Sequence, residues 1–196
     1  MRKGIALFGF LGVAGLMAAF VAAPAQDKPK DRPEIVVPYV PTPQKVVDAM
    51  LKLAQVKEGE KVYDLGCGDG RIAITAVKDF KAKKGLGIDF NPERLKDCQE
   101  NLKKLSAADQ KKLEFKQGDV LKMMPEEFKD VDVVTLYLLP EVNLRLKPIL
   151  QKGLKPGSRI VSHAFDMGEW KPDKTETVQD GDGSSSTIYL WTIKKE

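Results

Sequence analysis

The sequence has few of the residues that build disulfide scaffolds and metal sites. It holds two cysteines and one histidine among 196 residues. This excludes a disulfide-stabilised scaffold and leaves no Cys/His cluster for a structural zinc ion. It also has little net charge, since 32 basic residues face 28 acidic ones, and 26 of the basic residues are lysine. A groove that binds nucleic acid more often contains clustered arginine, so we expect no nucleic-acid partner. From the lack of a Cys/His cluster we expect no bound metal.

One stretch near the N-terminus has no charge at all. Residues 4–23 follow Arg2 and Lys3 and run into an Ala-Pro-Ala triplet at 23–25. This layout is typical of a secretory signal peptide that is cleaved before Gln26. The 20 residues of the run are also enough to span a bilayer, although half of them are glycine or alanine. Residues 1–25 are therefore either a signal peptide, which implies export, or a membrane anchor, with a buried core helix as a third interpretation.

Proline and charge mark the segment that follows. Residues 26–41 carry six charged residues and several prolines, so we expect a linker or an extended arm rather than a helix. The folded domain is expected to occupy residues 42–196. Thr42 would cap its first helix and Pro43 would be the first helical residue.

From there the pattern alternates between short β-type segments and amphipathic helical segments. Strands are expected at 61–65, 85–89, 113–117, 131–138 and 159–164. Helices are expected between them, including one over 141–153 that Pro148 should kink. Strands that alternate with helices predict a mostly parallel sheet covered on both faces, an α/β three-layer sandwich. Residues 175–179 and 187–193 predict a terminal β-hairpin, which places antiparallel strands at one edge.

The turn after the first strand is rich in glycine. It reads G-x-G-x-G over residues 66–70 and enters a helix, whose first N–H groups are free to meet a ligand. A dinucleotide fingerprint would need glycine at position 71, where arginine stands. Asp64 and Asp69 would repel a pyrophosphate, so the loop favours a cationic ligand. The alternative is a tight turn that binds nothing.

Acidic residues also end the next two strands. Asp89 ends the second strand, where a carboxylate can accept both hydroxyls of a ribose. It could instead cap the helix that starts near Asn91. Asp119 ends the third strand and could face a base, or it could be a helix cap alone. We favour the ligand role for both carboxylates.

These segments together resemble the class I S-adenosylmethionine-dependent methyltransferases. The matching stretches are VYDLGCGDGR (62–71), GIDFNPE (87–93), QGDV (117–120) and LKPGSRIV (154–161). The resemblance implies a Rossmann-like, seven-stranded sheet whose last strand is antiparallel, with S-adenosyl-L-methionine as the cofactor. By the same resemblance, the loop at the methionine end of the cofactor consists of Asp64, Gly66, Gly68 and Gly70. Asp89 would hold the ribose and Asp119 would meet the adenine amino group.

Three shorter motifs resemble a narrower family, the ATP synthase c-subunit lysine methyltransferases. They are Tyr39-Val40-Pro41, the GDGRI stretch that ends at Ile72, and Trp170-Lys171-Pro172-Asp173. Members of that family also carry a hydrophobic N-terminal segment and methylate a lysine in a small membrane protein. The resemblance therefore implies a protein lysine acceptor, and possible acceptors include membrane-embedded proteins.

The end of the fourth strand bears on the acceptor. Enzymes that methylate exocyclic amines of bases or of glutamine usually carry Asn/Asp-Pro-Pro-aromatic there, whereas residues 138–141 are Leu-Leu-Pro-Glu. The alternatives that stay open are a methyltransferase acting on a small molecule or RNA, and an exported binding module without catalysis. Tyr137 and Glu141 are the nearest polar candidates for orienting an acceptor.

Other singled-out side chains have a structural as well as a functional interpretation. Tyr137, Phe165 and Trp170 could line a substrate entrance or belong to the core. His163 is expected to be structural rather than a base. Cys67 and Cys98 are expected to be small packed residues rather than nucleophiles.

Overall fold

A computed structural model describes residues 39–180 and 183–194. The chain divides into two units, 1–31 and 32–196, and the described residues all belong to the second. The segment 4–23 and most of the predicted arm lie outside the described residues. Among the residues that are described, no helix combines the length and apolar character needed to cross a bilayer.

Twelve strands and α-helices follow one another along the described part of the chain. The helices are α1 (Gln44–Leu53), α2 (Arg71–Lys78), α3 (Pro92–Leu102), α4 (Ala107–Gln110) and α5 (Pro140–Gly153). The strands are β1 (Lys61–Leu65), β2 (Lys84–Asp89), β3 (Leu113–Gln117), β4 (Val133–Leu136), β5 (Arg159–His163), β6 (Lys174–Gln179) and β7 (Ser185–Thr192). Two short 3-10 turns, Val120–Lys122 and Pro125–Phe128, connect β3 to β4.

The strands form one sheet in the order β3-β2-β1-β4-β5-β7-β6. The first five strands are parallel, and β7 pairs antiparallel with both β5 and β6. The predicted mostly parallel sheet with a terminal antiparallel hairpin is confirmed. The chain adds β2 and β3 on one side of β1 and then crosses over to add β4 and β5 on its other side. Ligands of such sheets bind at the carboxyl ends of the strands, beside this reversal.

Apolar side chains cover both faces of the sheet. On one face, α1 and α2 pack against Val62, Val133 and Val161. On the other face, α5 and the two 3-10 turns pack against Leu136 and Ile160. Neighbouring residues of one strand thus serve opposite cores, because side chains alternate across a strand. The result is the predicted three-layer sandwich.

Two local expectations differ from the structure. Thr42 does not cap α1; Pro43 occupies that position without a side-chain hydrogen bond, and the Thr42 hydroxyl lies 3.2 Å from Nδ1 of His163 instead. The fourth strand is shorter than predicted, because the chain leaves the sheet after Leu136 and α5 begins at Pro140. Proline suits the first position of α5, because its φ is already helical and its missing N–H takes no helical hydrogen bond.

Candidate active site

The glycine turn between β1 and α2 depends on backbone geometry that glycine adopts freely. Gly66, Gly68 and Gly70 have φ of +76°, +56° and +81°. A Cβ atom on Gly68 would stand 2.6 Å from the ring of Tyr39, and one on Gly66 would meet the side chain of Leu138. The loop is therefore closely covered as well as tightly turned.

Asp64 lies beneath this loop in the centre of the sheet and is 1% exposed. The Thr135 hydroxyl donates to its Oδ1 at 2.7 Å, while Oδ2 is buried without a hydrogen-bond partner. Burial raises the pKa of this carboxyl to about 7, against the Thr135 hydrogen bond, and the nearby Asp89 and Asp69 raise it further. A buried, half-satisfied carboxyl is suited to a cationic or hydrogen-bond-donating group.

Asp89 ties the second strand to the glycine loop. Its Oδ2 accepts the Gly68 N–H at 2.8 Å, and its Oδ1 accepts the Asn91 N–H at 2.8 Å. The capping alternative belongs to Asn91, whose side chain accepts from Glu93 N at the start of α3. The Asp89 carboxylate is thus held rigidly at the carboxyl end of β2, with further lone pairs for a ligand.

Asp119 follows β3 and is the third carboxylate, after Asp64 and Asp89, at the carboxyl ends of β1 to β3. It caps the first 3-10 turn, and its Oδ1 accepts from Leu121 N at 3.0 Å. The backbone of Gly118 donates to the carbonyl of Asp89 at 3.0 Å, which keeps the two acids side by side. Capping and ligand binding are compatible here, because a carboxylate has four acceptor positions.

A short segment before α1 covers the glycine loop, a contact that the local sequence pattern does not predict. The Tyr39 ring lies over Gly68, and the Arg94 guanidinium stands 4.3 Å from the centre of that ring. Arg71 pairs with Asp69 at 2.6 Å and also donates to the Thr42 carbonyl at 3.0 Å. The Tyr-Val-Pro motif marked this segment, but only the fold shows what it contacts.

The other half of the sheet edge carries a pocket of about 410 Å³. It lies at the carboxyl ends of β4, β5 and β6 and at the start of β7. Its lining residues are Val40, Pro41, Pro43, Tyr137, His163, Ala164, Asp180, Ser185, Ser186 and Thr187. This volume is in the usual range for small-ligand pockets.

Tyr137 and His163 form the aromatic wall of this pocket. Their ring centres are 3.9 Å apart, and Phe165 stacks beyond Tyr137 at 6.4 Å. His163 is 4% exposed. Its burial lowers the pKa of the imidazole, which the charge of Asp180 opposes, so the ring is neutral near pH 7. Its contact with Thr42 supports the structural interpretation of this histidine.

The remaining candidates are not among the residues that line the pocket. Glu141 is exposed in the first turn of α5 and is not among the residues that line the pocket. Trp170 packs against Trp191, which donates to its carbonyl at 2.7 Å, so it belongs to the core edge. Cys67 and Cys98 are buried, with sulfur atoms 4.0 Å apart, as expected of packed residues.

Comparison with known proteins gives consistent similarities. A sequence model of the ANTKMT methyltransferase domain matches residues 64–174. A protein-lysine N-methyltransferase of Saccharolobus islandicus (strain REY15A) is 45% identical over 80% of this chain and 94% of its own length. The ATP synthase c-subunit lysine N-methyltransferase of Homo sapiens is 26% identical over 87% of this chain and 69% of its own length.

A solved structure is similar to a comparable extent. It is that of an RNA methyltransferase from Salinibacter ruber in complex with S-adenosyl-L-homocysteine. It is 47% identical, superimposes with a TM-score of 0.71, and the match covers 80% of this chain and 95% of the other. The residues that match the ANTKMT domain include β2 to β5 and the carboxylates of Asp64, Asp89 and Asp119.

Proposed function

Because this chain belongs to the methyltransferase family that the ANTKMT domain defines, we propose that it transfers a methyl group from S-adenosyl-L-methionine to a lysine amine of a protein. The observation that carries the proposal is the arrangement along one sheet edge. A glycine loop with three carboxylates occupies the β1–β3 half, and an aromatic pocket directly adjoins it at β4 and β5. Such an arrangement can hold the cofactor and the acceptor side by side.

The residues at the carboxyl ends of β1 to β3 suit S-adenosylmethionine, which carries an ammonium and a sulfonium charge. The buried Oδ2 of Asp64 has no protein partner and can accept from, or pair with, a cationic group. Asp89 and Asp119 offer carboxylate oxygens where the ribose and the adenine amino group need acceptors. The loop glycines carry no side chain of their own, and the Tyr39 ring covers the loop at Gly68.

Bound S-adenosylmethionine supplies an already activated methyl group, so the protein has mainly to align and desolvate the reacting atoms. The lone pair of the acceptor amine attacks the methyl carbon as the carbon–sulfur bond breaks and its electron pair stays on sulfur. The amine must be neutral for this attack. The Tyr137 and His163 rings that line the pocket favour the neutral form, because removal from water lowers the pKa of an amine.

The choice of lysine over RNA rests on the relatives' activities and on the pocket. Two of the relatives above act on protein lysines, while the Salinibacter ruber protein is an RNA methyltransferase. The charged side chain among the described residues that line the pocket is the carboxylate of Asp180, which attracts ammonium and repels phosphate.

The direct test is methyl transfer by the full chain from tritiated S-adenosylmethionine. A lysine-rich protein mixture, the same mixture with its lysines reductively dimethylated, and total RNA are compared as acceptors. We expect label in the unblocked protein alone. Label in RNA would replace the proposed acceptor, and cofactor binding without any transfer would favour the non-catalytic binding module.

We further propose that residues 4–23 act as an uncleaved anchor, with the domain on the side of the membrane where the cofactor is made. The support is the uncharged run itself and the need of an enzyme for cytoplasmic S-adenosylmethionine. A linker over residues 26–41 would reach roughly 55 Å, enough to approach lysines of membrane-embedded proteins. Protease added to intact cells should leave the domain uncut. A mature N-terminus at Gln26, or digestion of the domain, would contradict the anchor and favour export.

A further inference from the structure

The pocket at the carboxyl ends of β4 and β5 contains a carboxylate to which neither the sheet nor the proposed cofactor site assigns a role. Asp180 follows β6 at the start of the turn to β7, and it lines the pocket with Tyr137 and His163. The topology brings it there, because β6 runs parallel to β5 and ends at the same sheet edge. Its charge also opposes the effect of burial on the pKa of His163, as expected of neighbouring groups.

The side chain of Asp180 is oriented by one oxygen and unsatisfied at the other. The hydroxyls of Ser184 and Ser186 donate to Oδ2 at 3.0 and 2.9 Å. The backbone N–H of Asp180 donates to the Ser184 carbonyl at 2.9 Å, which fixes the start of the turn. Oδ1, by contrast, is buried without any hydrogen-bond partner. A buried oxygen left in this state is unfavourable unless a ligand supplies a donor.

The other described residues of the pocket supply no compensating charge. The lining combines apolar and aromatic residues, such as Val40, Pro41 and Tyr137, with the hydroxyl side chains of Ser185, Ser186 and Thr187. His163, which also lines the pocket, is neutral near pH 7. A pocket whose lining residues include one carboxylate and no cationic side chain fits a ligand that ends in a cation. A lysine side chain has this chemistry.

The geometry points to Asp180 as the residue that selects the acceptor: its carboxylate, one oxygen of which has no protein partner, receives the ammonium of the entering side chain and so confers specificity for a cationic amine over neutral or anionic acceptors. This inference rests on the proposed function and names the recognition element of the same site. The step is binding only. A carboxylate favours the charged form of the amine, so the ammonium must leave Asp180 and lose its proton to solvent before transfer. Asp180 therefore determines capture of the acceptor rather than the chemical step.

The test compares Asp180→Asn with Asp79→Asn in the full chain. Asparagine keeps the oxygen that accepts from the two serines and removes the charge. Asp79 is an exposed carboxylate at the C-terminal end of α2, away from the pocket, so its variant controls for the same change of net charge. Thermal melts verify that each variant is folded. The affinity for S-adenosylhomocysteine, measured by calorimetry, verifies that the proposed cofactor site is unchanged.

Two measurements are made on each protein. The first is the KM and kcat for methylation of a peptide with a single lysine. The second is binding of n-butylammonium and of 1-butanol to the protein saturated with S-adenosylhomocysteine, followed by NMR. We expect Asp180→Asn to raise KM about tenfold or more with a smaller change in kcat, and to remove the preference for butylammonium, because a charge-assisted hydrogen bond is lost. Asp79→Asn should match the wild type.

The outcomes separate this inference from the proposed function. An unchanged KM together with an unchanged preference for butylammonium in Asp180→Asn would overturn the role of Asp180. If the wild type does not methylate the peptide but binds butylammonium through Asp180, the inference stands and the proposed acceptor is wrong. If an oligoribonucleotide is the better acceptor and Asp180→Asn improves its use, both are overturned.

Discussion

At the scale of single residues, the carboxyl groups of the site differ in how the protein holds them. Asp64 is buried with one oxygen unsatisfied, whereas Asp89 accepts two backbone N–H groups. The first arrangement disfavours the charged form of Asp64, and the second fixes the position of the Asp89 side chain. The two groups should therefore respond differently to substitution.

The raised pKa of Asp64 predicts that cofactor affinity depends on pH. Below about pH 7 the free protein holds this carboxyl protonated, and a cationic ligand favours its ionised form. Binding then releases a proton, so affinity should rise as pH increases towards 7 and level off above it. Calorimetry in buffers of different ionisation enthalpy should detect the released proton.

Asp64→Asn is the matched variant, and it should remove both the pH dependence of cofactor affinity and the proton release. A wild-type affinity that does not vary between pH 5.5 and 8 would contradict the assignment.

The raised pKa of Asp64 also has a consequence for folding. The pKa is raised from the ordinary aspartate value of 3.8, so the stability due to this group is full below about pH 4 and is lost as pH rises through 7.

The two strand-end acids should differ in their contribution to cofactor binding. Asp89→Ala should weaken binding more than Asp119→Ala, because two ribose hydroxyls would each lose a charge-assisted bond, at roughly 1.5–3 kcal/mol per bond. It also removes the acceptor of the Gly68 N–H. Titration of S-adenosylhomocysteine into each variant measures the difference, and affinities equal to that of the wild type would refute the assignment.

At the scale of elements, the glycine loop shows how one turn serves both fold and ligand. Its positive φ values allow β1 to enter α2 within five residues. Its surface is then covered by side chains from distant elements, with Tyr39 on Gly68 and Phe115 on Gly70. A side chain added at these positions meets both a conformational and a steric penalty.

A comparison of two glycines separates these penalties. Gly59 has φ of +85° and nothing within 4 Å of an added Cβ, whereas Gly68 has φ of +56° and faces the Tyr39 ring. Gly59→Ala should cost about 1–2 kcal/mol of stability and leave cofactor affinity unchanged. Gly68→Ala should also reduce affinity by displacing Tyr39 and the loop, and Gly68→Val should reduce it further. Equal cofactor affinities for the Gly59 and Gly68 variants would contradict a ligand role for the loop.

At the scale of the whole molecule, the carboxyl ends and the amino ends of the parallel strands have different roles. The candidate site lies at the carboxyl ends. At the amino edge, Arg159 of β5 pairs with Glu60 at 2.6 Å and donates to the carbonyls of Ala54 and Gln55. This cluster joins β5 to the segment between α1 and β1, and it contacts none of the site residues. It is therefore expected to contribute to stability alone.

Arg159→Met should lower the free energy of unfolding by about 2 kcal/mol, because Glu60 and two carbonyls lose a partly buried donor. Lys61→Met is the control, since its ion pair with Asp130 is exposed and such pairs contribute at most about 1 kcal/mol. Urea titrations measure the stabilities, and the affinity for S-adenosylhomocysteine should be unchanged in both variants. A large loss of cofactor affinity in Arg159→Met would contradict this separation of edges.

Much of this architecture was predictable because its signals are local. The alternation of strand and helix periods gave the element order, and the glycine spacing marked the turn after β1. Asp64, Asp89 and Asp119 could be selected because they stand at predicted strand ends, which share one edge in a parallel sheet. The terminal hairpin followed from two β-type segments around a glycine- and serine-rich turn.

The fold class, the resemblance to methyltransferases and the candidate cofactor residues therefore follow from local patterns in the chain. Which distant groups meet depends on the tertiary fold. Thr42 reaches His163 instead of capping α1, Thr135 donates to one oxygen of Asp64 while the other has no partner, and Asp180 lines the pocket beside Tyr137. No local pattern encodes these contacts, because each joins segments far apart in the chain. Burial, pairing and the resulting pKa values exist only after the sheet has brought those segments together.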